Sequence, residues 1–276
     1  MEPFARRQVV REISLIALAI FTYFAVRNMT AGSPGVAFEN ARRVVRFEDG
    51  SGLDWEHGAQ ALTVRSDTLV DLANWIYIWG HWPVILTTAL VLFLFRRERY
   101  FLLRNTLFLS GAIGFLFFAL FPVAPPRLMD LGLVDTVTTE SHAYRALQPP
   151  GLTNQYAAFP SLHAGWNVLI GIVLFTTTTA IVVRVFAIAL PIAMSFAVVA
   201  TANHYVVDVA AGIAVVLVGL LVVSAWANRP IPAIVEGSAR DPGHGVPTAV
   251  RDRAPRRQPS RRAARRRTSR HPARRG

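Results

Sequence analysis

Two short strings, PSLH at residues 160–163 and HYVVD at residues 204–208, contain residue types that can transfer a phosphoryl group. His204 and Asp208 are four residues apart, which on a helix places both side chains on one face. A carboxylate there can accept a hydrogen bond from one imidazole nitrogen, fix the tautomer and leave the other nitrogen nucleophilic. The spacing alone also fits a structural His–Asp pair between helices, or two ligands of a metal.

The first string is typical of a helix that begins with free backbone amides. Proline is favoured at the first helical position, so the sequence predicts that a helix begins near Pro160 with Ser161 behind it. Amides at the positive end of a helix bind phosphate, and His163 would lie in the first turn, close to a bound phosphate. The alternative is a histidine that only anchors the helix at the level of the lipid headgroups.

Two further basic side chains are candidates for binding a phosphate. Arg127 follows the string APP at residues 124–126, and its planar guanidinium could hold a phosphate with two hydrogen bonds. His81, in the string GHWP at 80–83, could face the same cavity. The alternatives are an arginine that extends to the headgroups and a packing histidine.

Composition decides what kind of fold must position these residues. The chain has 276 residues, of which 53% are hydrophobic and 17% charged, and this is too apolar for an ordinary soluble domain. Cysteine is absent, which excludes disulfides and thiolate metal sites. We predict no metal and no cofactor.

Runs without charged residues predict the membrane spans. A spanning helix needs about 20 residues, and five runs are long enough. The first run reaches this length only if Arg11 and Glu12 extend to the headgroups, and a cleaved signal peptide is the alternative for it. We predict an all-α, polytopic membrane protein with a six-helix transmembrane bundle; the runs are 13–26, 72–95, 105–126, 148–183, 185–203 and 209–228.

Arginines beside the spans predict the orientation, because they favour the cytoplasmic side. Six spans keep both termini and the other Arg-rich connections in the cytoplasm of a cell-membrane protein. The candidate site residues then converge on the extracytoplasmic face. The arginines that decide this are Arg6, Arg7, Arg11, Arg96, Arg97, Arg99, Arg104, Arg184 and those of the tail.

Three regions are predicted along the chain. Residues 1–28 hold the cytoplasmic N-terminus and first span, residues 29–228 form a catalytic membrane domain, and residues 229–276 form a disordered cytoplasmic tail. The tail holds 14 arginines against three acidic residues, and we expect it to bind anionic lipids of the inner leaflet rather than nucleic acid. Within the outer segment 27–71, residues 42–48 predict either a short interfacial helix or a solvated loop.

The strings FPSLH at 159–163 and NHYVVD at 203–208 together resemble the type 2 phosphatidic acid phosphatase superfamily. The chain looks most similar to its inositol phosphorylceramide synthase branch, with supporting strings PVAPPRL at 122–128 and YIWGHWP at 77–83. The similarity covers roughly residues 38–226 and depends on the order and spacing of these motifs.

The resemblance implies a role for each candidate. His204 would attack phosphorus and form a phosphohistidine, His163 would protonate the leaving group, and Asp208 would orient the nucleophile. The residues implied in binding the phosphate or substrate are Arg127, Ser161 and His81.

The chain departs from the phosphatase pattern at two positions, and the loss of an arginine at one of them favours the synthase-like branch. Leu162 stands where that pattern has glycine, and Val198 stands where it has an arginine. Without that arginine, Arg127 would carry more of the charge stabilisation. The substrate of the synthase-like branch is a phosphodiester lipid.

These observations lead to one function and two alternatives. The predicted function is a lipid phosphotransferase that uses a phospholipid and a lipid or alcohol acceptor at the outer leaflet. The alternatives are a phosphatase that uses water, and a transporter or scaffold in which the same side chains line a polar pathway. Headgroup selection is expected in residues 128–159, which contain Asp130, Asp135, Glu140, His142 and Arg145.

Overall fold

The computed structural model describes residues 3–30, 34–137 and 154–227, and within these ranges the chain is helical. In the described residues, β-pairing is limited to an isolated bridge between Val123 and Ala157. The predicted all-α class is therefore confirmed. The helices are α1 (Pro3–Thr30), α2 (Pro34–Ser51), α3 (Glu56–Thr63), α4 (Asp67–Trp79), α5 (Trp82–Phe95), α6 (Arg97–Leu120), α7 (Leu162–Thr177), α8 (Ile181–Ala200) and α9 (Val206–Ala227).

Several of these helices are long and apolar enough to cross a membrane. Within the described ranges, α6, α8 and α9 qualify alone, and α4 with α5 qualifies as one span bent by 44°. Helix α7 is apolar but only 16 residues long, and the first predicted span lies in α1. A multi-pass membrane protein is therefore supported, whereas the count of six spans and the side on which each terminus lies stay predictions.

Helix α7 lies at the centre of the bundle, between α8 and α9. Side chains such as Leu169, Ile170 and Val173 are fully buried there and pack with residues of α5, α6 and α9. Large apolar side chains point outward instead from the surfaces of the candidate spans, as Leu120 and Leu221 do. An apolar exterior of this kind matches a lipid environment.

Helices α7 and α9 cross at two glycines, and their backbones touch. A Cβ atom added to Gly212 would lie 2.0 Å from the carbonyl oxygen of Ser161. A Cβ atom added to Gly165 would lie 2.4 Å from the carbonyl oxygen of Gly212. Since Ser161 precedes α7, this close approach brings the first turns of the two helices together.

At the charged end of α1, Arg11 is exposed whereas Glu12 has partners on α6. Glu12 is buried, accepts a hydrogen bond of 2.7 Å from the Tyr100 hydroxyl and forms an ion pair with Arg104. A partner on α6 makes burial of the carboxylate tolerable, while the extension of this end of α1 to the headgroups stays a prediction.

Residues 34–51 form a full helix, so residues 42–48 are helical rather than a loop, while their place at the membrane interface stays a prediction. One face of α2 is buried, and it packs against Tyr205, which precedes α9. Polar side chains of α3 and α4 then hold the segment after α6: Gln60 binds both backbone groups of Val134, and Asn74 binds Thr136. Of the predicted headgroup-selecting residues, Glu140, His142 and Arg145 lie outside the described ranges, as does the tail from residue 228.

Candidate active site

Three separate parts of the chain meet where α7 and α9 begin. The backbone N–H of Ser161 donates to the carbonyl of Asp208 over 2.9 Å, and the N–H of Arg127 donates to the carbonyl of Ala202 over 2.9 Å. The rings of His163 and His204 lie 5.8 Å apart between centroids. The two strings identified in the sequence therefore form one site.

The orientation of His204 is set first by a main-chain atom. Its Nδ1 lies 2.8 Å from the carbonyl oxygen of Ala158, and a carbonyl can only accept a hydrogen bond. Nδ1 must therefore carry the proton, which leaves the lone pair on Nε2. The sequence attributed this tautomer to Asp208, whose Oδ2 is farther away, at 3.4 Å from the same nitrogen.

Asp208 has a second partner that the sequence did not indicate. His204 precedes α9 rather than lying on it, so the pair does not share a helical face as predicted. The Oδ2 atom of Asp208 accepts a 2.9 Å hydrogen bond from the N–H of Tyr205. The side chain is fully buried, and its Oδ1 has no hydrogen-bond partner among the described residues. Asp208 thus ties the start of α9 to the residue after His204.

His204 lies between α8 and α9, and its surroundings favour the neutral ring. Burial lowers the pKa of His204 to about 4, and the positive charge of Arg127 acts in the same direction. The hydrogen bond to Ala158 opposes this decrease only in part. The imidazole is therefore neutral at physiological pH, as a nucleophile must be.

His163 lies in the first turn of α7, between two aromatic rings. It stacks on Tyr77 with 4.8 Å between ring centroids and contacts His81 at 4.2 Å. Its side chain stays partly exposed, whereas His204 and His81 are buried. A ring held on both faces presents its edge to the site in a fixed orientation.

His81 lies at the bend between α4 and α5, on one face of His163. It is 3% exposed, stacks on Trp166 with 5.7 Å between centroids, and its Nδ1 lies 3.4 Å from Asn167 Nδ2. These contacts are those of a supporting residue. Its predicted part in substrate binding stays a prediction.

Ser161 occupies the position just before α7, which corrects the predicted helix start at Pro160. Helix α7 begins at Leu162, and the Ser161 hydroxyl accepts a hydrogen bond of 3.4 Å from the N–H of Ala164. The hydroxyl oxygen thus binds an amide at the helix start, as a helix-capping serine does. The other amides of this turn are the ones that a phosphate could reach.

Arg127 lies in a single turn of 3₁₀ helix, Pro126–Leu128, close enough to His204 for its charge to act on that ring. Its Nε is 3.3 Å from the Oδ2 of Asp135. The guanidinium therefore already has a carboxylate partner. One ion pair leaves the remaining N–H groups of an arginine available for a phosphate.

Two buried carboxylates at the site were missed in the sequence. Glu48 of α2 accepts a 2.7 Å hydrogen bond from the N–H of Val207, and Glu56 of α3 accepts a 2.8 Å hydrogen bond from the N–H of Val206. Both are almost completely buried. Their neighbours in the sequence are exposed, so only the position of Glu48 on the apolar face of α2 could have indicated a special role.

Comparison with known proteins adds the family. A family model of the PAP2 superfamily matches residues 42–222, which agrees closely with the range of roughly 38–226 expected from the motifs. No curated protein and no solved structure matches the chain. The matched region contains α3 to α8, most of α2 and α9, and every residue of the site described above. The chain belongs to the PAP2 superfamily, the type 2 phosphatidic acid phosphatases and their relatives.

Proposed function

We propose that the protein transfers the phosphoryl headgroup of a phospholipid to a lipid or alcohol acceptor, through a phosphohistidine formed on His204. Membership of the superfamily supports a phosphatase or phosphotransferase. The observation that carries the finer proposal is the 2.8 Å contact between His204 Nδ1 and the Ala158 carbonyl, because it leaves Nε2 unprotonated. A donor and an acceptor of this class lie in the membrane that the apolar helices predict.

The first step exchanges one bond at phosphorus for another. The lone pair of His204 Nε2 attacks phosphorus, and the bond from phosphorus to the lipid oxygen breaks. His163, which takes up a proton when the negative charge of the phosphodiester lies beside it, donates that proton to the oxygen, so the lipid alcohol leaves uncharged. The 5.8 Å between the two rings is short enough for one phosphoryl group to contact both. Arg127 and the free amides at the start of α7 stabilise the negative charge that develops on the phosphoryl oxygens.

The second step reverses these roles with a different alcohol. Neutral His163 accepts the proton of the acceptor hydroxyl, the oxygen attacks phosphorus, and the bond from phosphorus to His204 breaks. The electron pair returns to Nε2, and both histidines regain their starting states. If water replaces the acceptor, the same step is hydrolysis.

The burial of Val198 also supports a synthase-like enzyme rather than a monoester phosphatase. Val198, which stands where the phosphatase pattern has arginine, is fully buried in an apolar cluster with Met194 and Tyr77. An apolar residue at this position leaves Arg127 as the arginine beside His204 in the described ranges. One cation suits a phosphodiester, which carries one negative charge, better than a dianionic monoester.

Turnover by the purified protein tests the proposal. The full chain in phosphatidylinositol liposomes, with and without a ceramide acceptor, should give a headgroup-phosphate lipid that requires the acceptor, detected by mass spectrometry. Free headgroup phosphate without acceptor would show a hydrolase instead. Uptake of a solute into the same liposomes without lipid turnover would favour a transporter.

Substitution of the histidines tests the mechanism. His204→Ala should abolish turnover, because the nucleophile is lost. For the same reason, no phosphorylated enzyme should be detected in this variant. His163→Ala should slow both steps, because the proton carrier is lost. His57→Ala is the matched control, since His57 is exposed and binds only the carbonyl of Leu131 in the described part of the chain. Full activity of folded His204→Ala protein would exclude the phosphohistidine.

A further inference from the structure

The first turn of α9 is surrounded by carboxylates from three different elements. Its neighbouring N–H groups at Tyr205, Val206 and Val207 each donate to a different acid: Asp208 at 2.9 Å, Glu56 at 2.8 Å and Glu48 at 2.7 Å. The first N–H groups of a helix have no partner within the helix. In this chain the protein itself supplies those partners, so these amides are not available to a substrate phosphate.

The two glutamates reach this turn from far away in the sequence. Glu56 is separated from Val206 by 150 residues, and Glu48 is separated from Val207 by 159 residues. Each belongs to a different short helix, α3 or α2, outside the candidate spans. They therefore fix the start of α9 relative to two helices that lie outside the candidate spans.

Only one residue, Tyr205, separates His204 from this turn. The backbone that the glutamates hold is continuous with the residue whose Nε2 must face phosphorus. Tyr205 is itself held from the other side, because its hydroxyl donates to the carbonyl of Ala124 over 3.1 Å. A displacement of the turn would thus be passed directly to the imidazole.

We propose that Glu48 and Glu56 are positioning residues of the active site, which hold His204 in its reactive place by binding the backbone of the first turn of α9. The proposal rests on the proposed function for its activity readout. Neither side chain contacts the imidazole, so they act through the Val206 and Val207 amides.

The surroundings of Glu48 agree with its role as a positioning residue. Burial raises its pKa to about 8, and the charges of Glu56 and Asp208 act in the same direction, whereas the Val207 hydrogen bond opposes them. Glu48 and Glu56 also lie within hydrogen-bonding reach of each other. A protonated Glu48 can thus donate to Glu56 while its other oxygen keeps the Val207 amide.

Kinetics separate positioning from general stability. In folded protein, Glu48→Ala and Glu56→Ala should each lower kcat by about 10- to 100-fold with little change in KM, because a misplacement of about 1 Å can cost this much in rate. Glu48→Gln should restore most of the rate, since its amide oxygen can still accept from Val207. Asp49→Asn, at the exposed neighbouring position, should leave kcat unchanged.

A second variant removes a donor instead of an acceptor. Val206 is the first residue of α9, where proline is favoured, so Val206→Pro deletes the N–H that Glu56 binds and keeps the helix. It should lower kcat as Glu56→Ala does. This variant decides the matter if the alanine variants do not fold.

Hydrogen exchange gives a readout that needs no substrate. In wild-type protein the amides of residues 205–208 should exchange slowly, and Glu48→Ala should accelerate them selectively, while Asp49→Asn should not. If the wild type turns over no lipid but exchange responds in this way, the positioning role stands and the proposed function fails. Unchanged exchange in Glu48→Ala, or wild-type kcat in folded Glu48→Ala, Glu56→Ala and Val206→Pro, would overturn the inference.

Discussion

At the residue scale, the protonation state of His204 governs when the proposed reaction can start. The ring is buried and lies near Arg127, and both features disfavour a second positive charge. A pKa lowered from the usual 6.5 to about 4 means that the ring stays neutral as the pH falls from 7 towards 4. The nucleophile is therefore ready throughout the physiological range.

This predicts the acid side of the pH profile. Loss of kcat/KM through protonation of His204 should occur near pH 4, rather than near 6.5 as for an ordinary histidine. The measurement is kcat/KM for phospholipid turnover between pH 3.5 and 8, with folding checked at each pH. An acid limb centred near 6.5 in folded protein would contradict the environment described for His204.

The residues of the site were predictable to different degrees. The residues His163, His204 and Asp208 lie in short strings with a recognisable order. The sequence alone therefore predicted that they share one site. The Ala158 carbonyl was not predictable, because every residue has a carbonyl and only the folded chain shows which one meets His204. Glu48 was missed for a related reason, since its partner is a backbone amide distant in the sequence.

At the scale of elements, the crossing of α7 and α9 determines how the two strings meet. The backbones approach so closely at Gly165 and Gly212 that side chains there would separate them. The spans themselves were predictable from uncharged runs. The bend of 44° between α4 and α5 was not predicted, because the run over residues 72–95 was interpreted as one span although it contains the helix-breaking Gly80 and Pro83.

We predict that Gly212→Ala damages both stability and activity. The added Cβ would lie 2.0 Å from the Ser161 carbonyl oxygen, so the first turns of α7 and α9 must move apart. We expect a loss of about 1–3 kcal/mol in the free energy of unfolding, as for other overpacked positions. Thermal unfolding in detergent and turnover by the folded fraction measure the two effects.

Gly219 on the same helix is the matched control. Its nearest neighbour for an added Cβ is Ser110 Cβ at 3.6 Å, which is ordinary van der Waals contact. Gly219→Ala should therefore be neutral, or stabilising by up to about 1 kcal/mol through helix propensity. Equal losses for both glycines would mean that the close approach at Gly212 is not what matters.

At the scale of the whole molecule, the candidate site lies at one end of the bundle. The end of α6, the start of α7, the end of α8 and the start of α9 are all joined there by the hydrogen bonds of Arg127 and Ser161. The arginines of the connections predict that this end faces away from the cytoplasm. A site on that face would act on lipids of the outer leaflet.

The absence of cysteine allows a direct test of this orientation, because any introduced thiol is unique. We predict that Asp54→Cys reacts with a membrane-impermeant maleimide in intact cells and that Arg99→Cys reacts only after permeabilisation. Both positions are exposed, so accessibility to water is matched. Labelling of Arg99→Cys alone in intact cells would place the site on the cytoplasmic side.

The contact between His204 and the Ala158 carbonyl has a consequence for genetics. Any side chain at position 158 leaves the carbonyl in place, so a complete substitution scan can miss the atom that sets the tautomer. Replacing Phe159 by its α-hydroxy acid would instead turn this carbonyl into an ester, which is a weaker acceptor. The most informative change at this site is therefore a backbone ester, which ordinary mutagenesis cannot introduce.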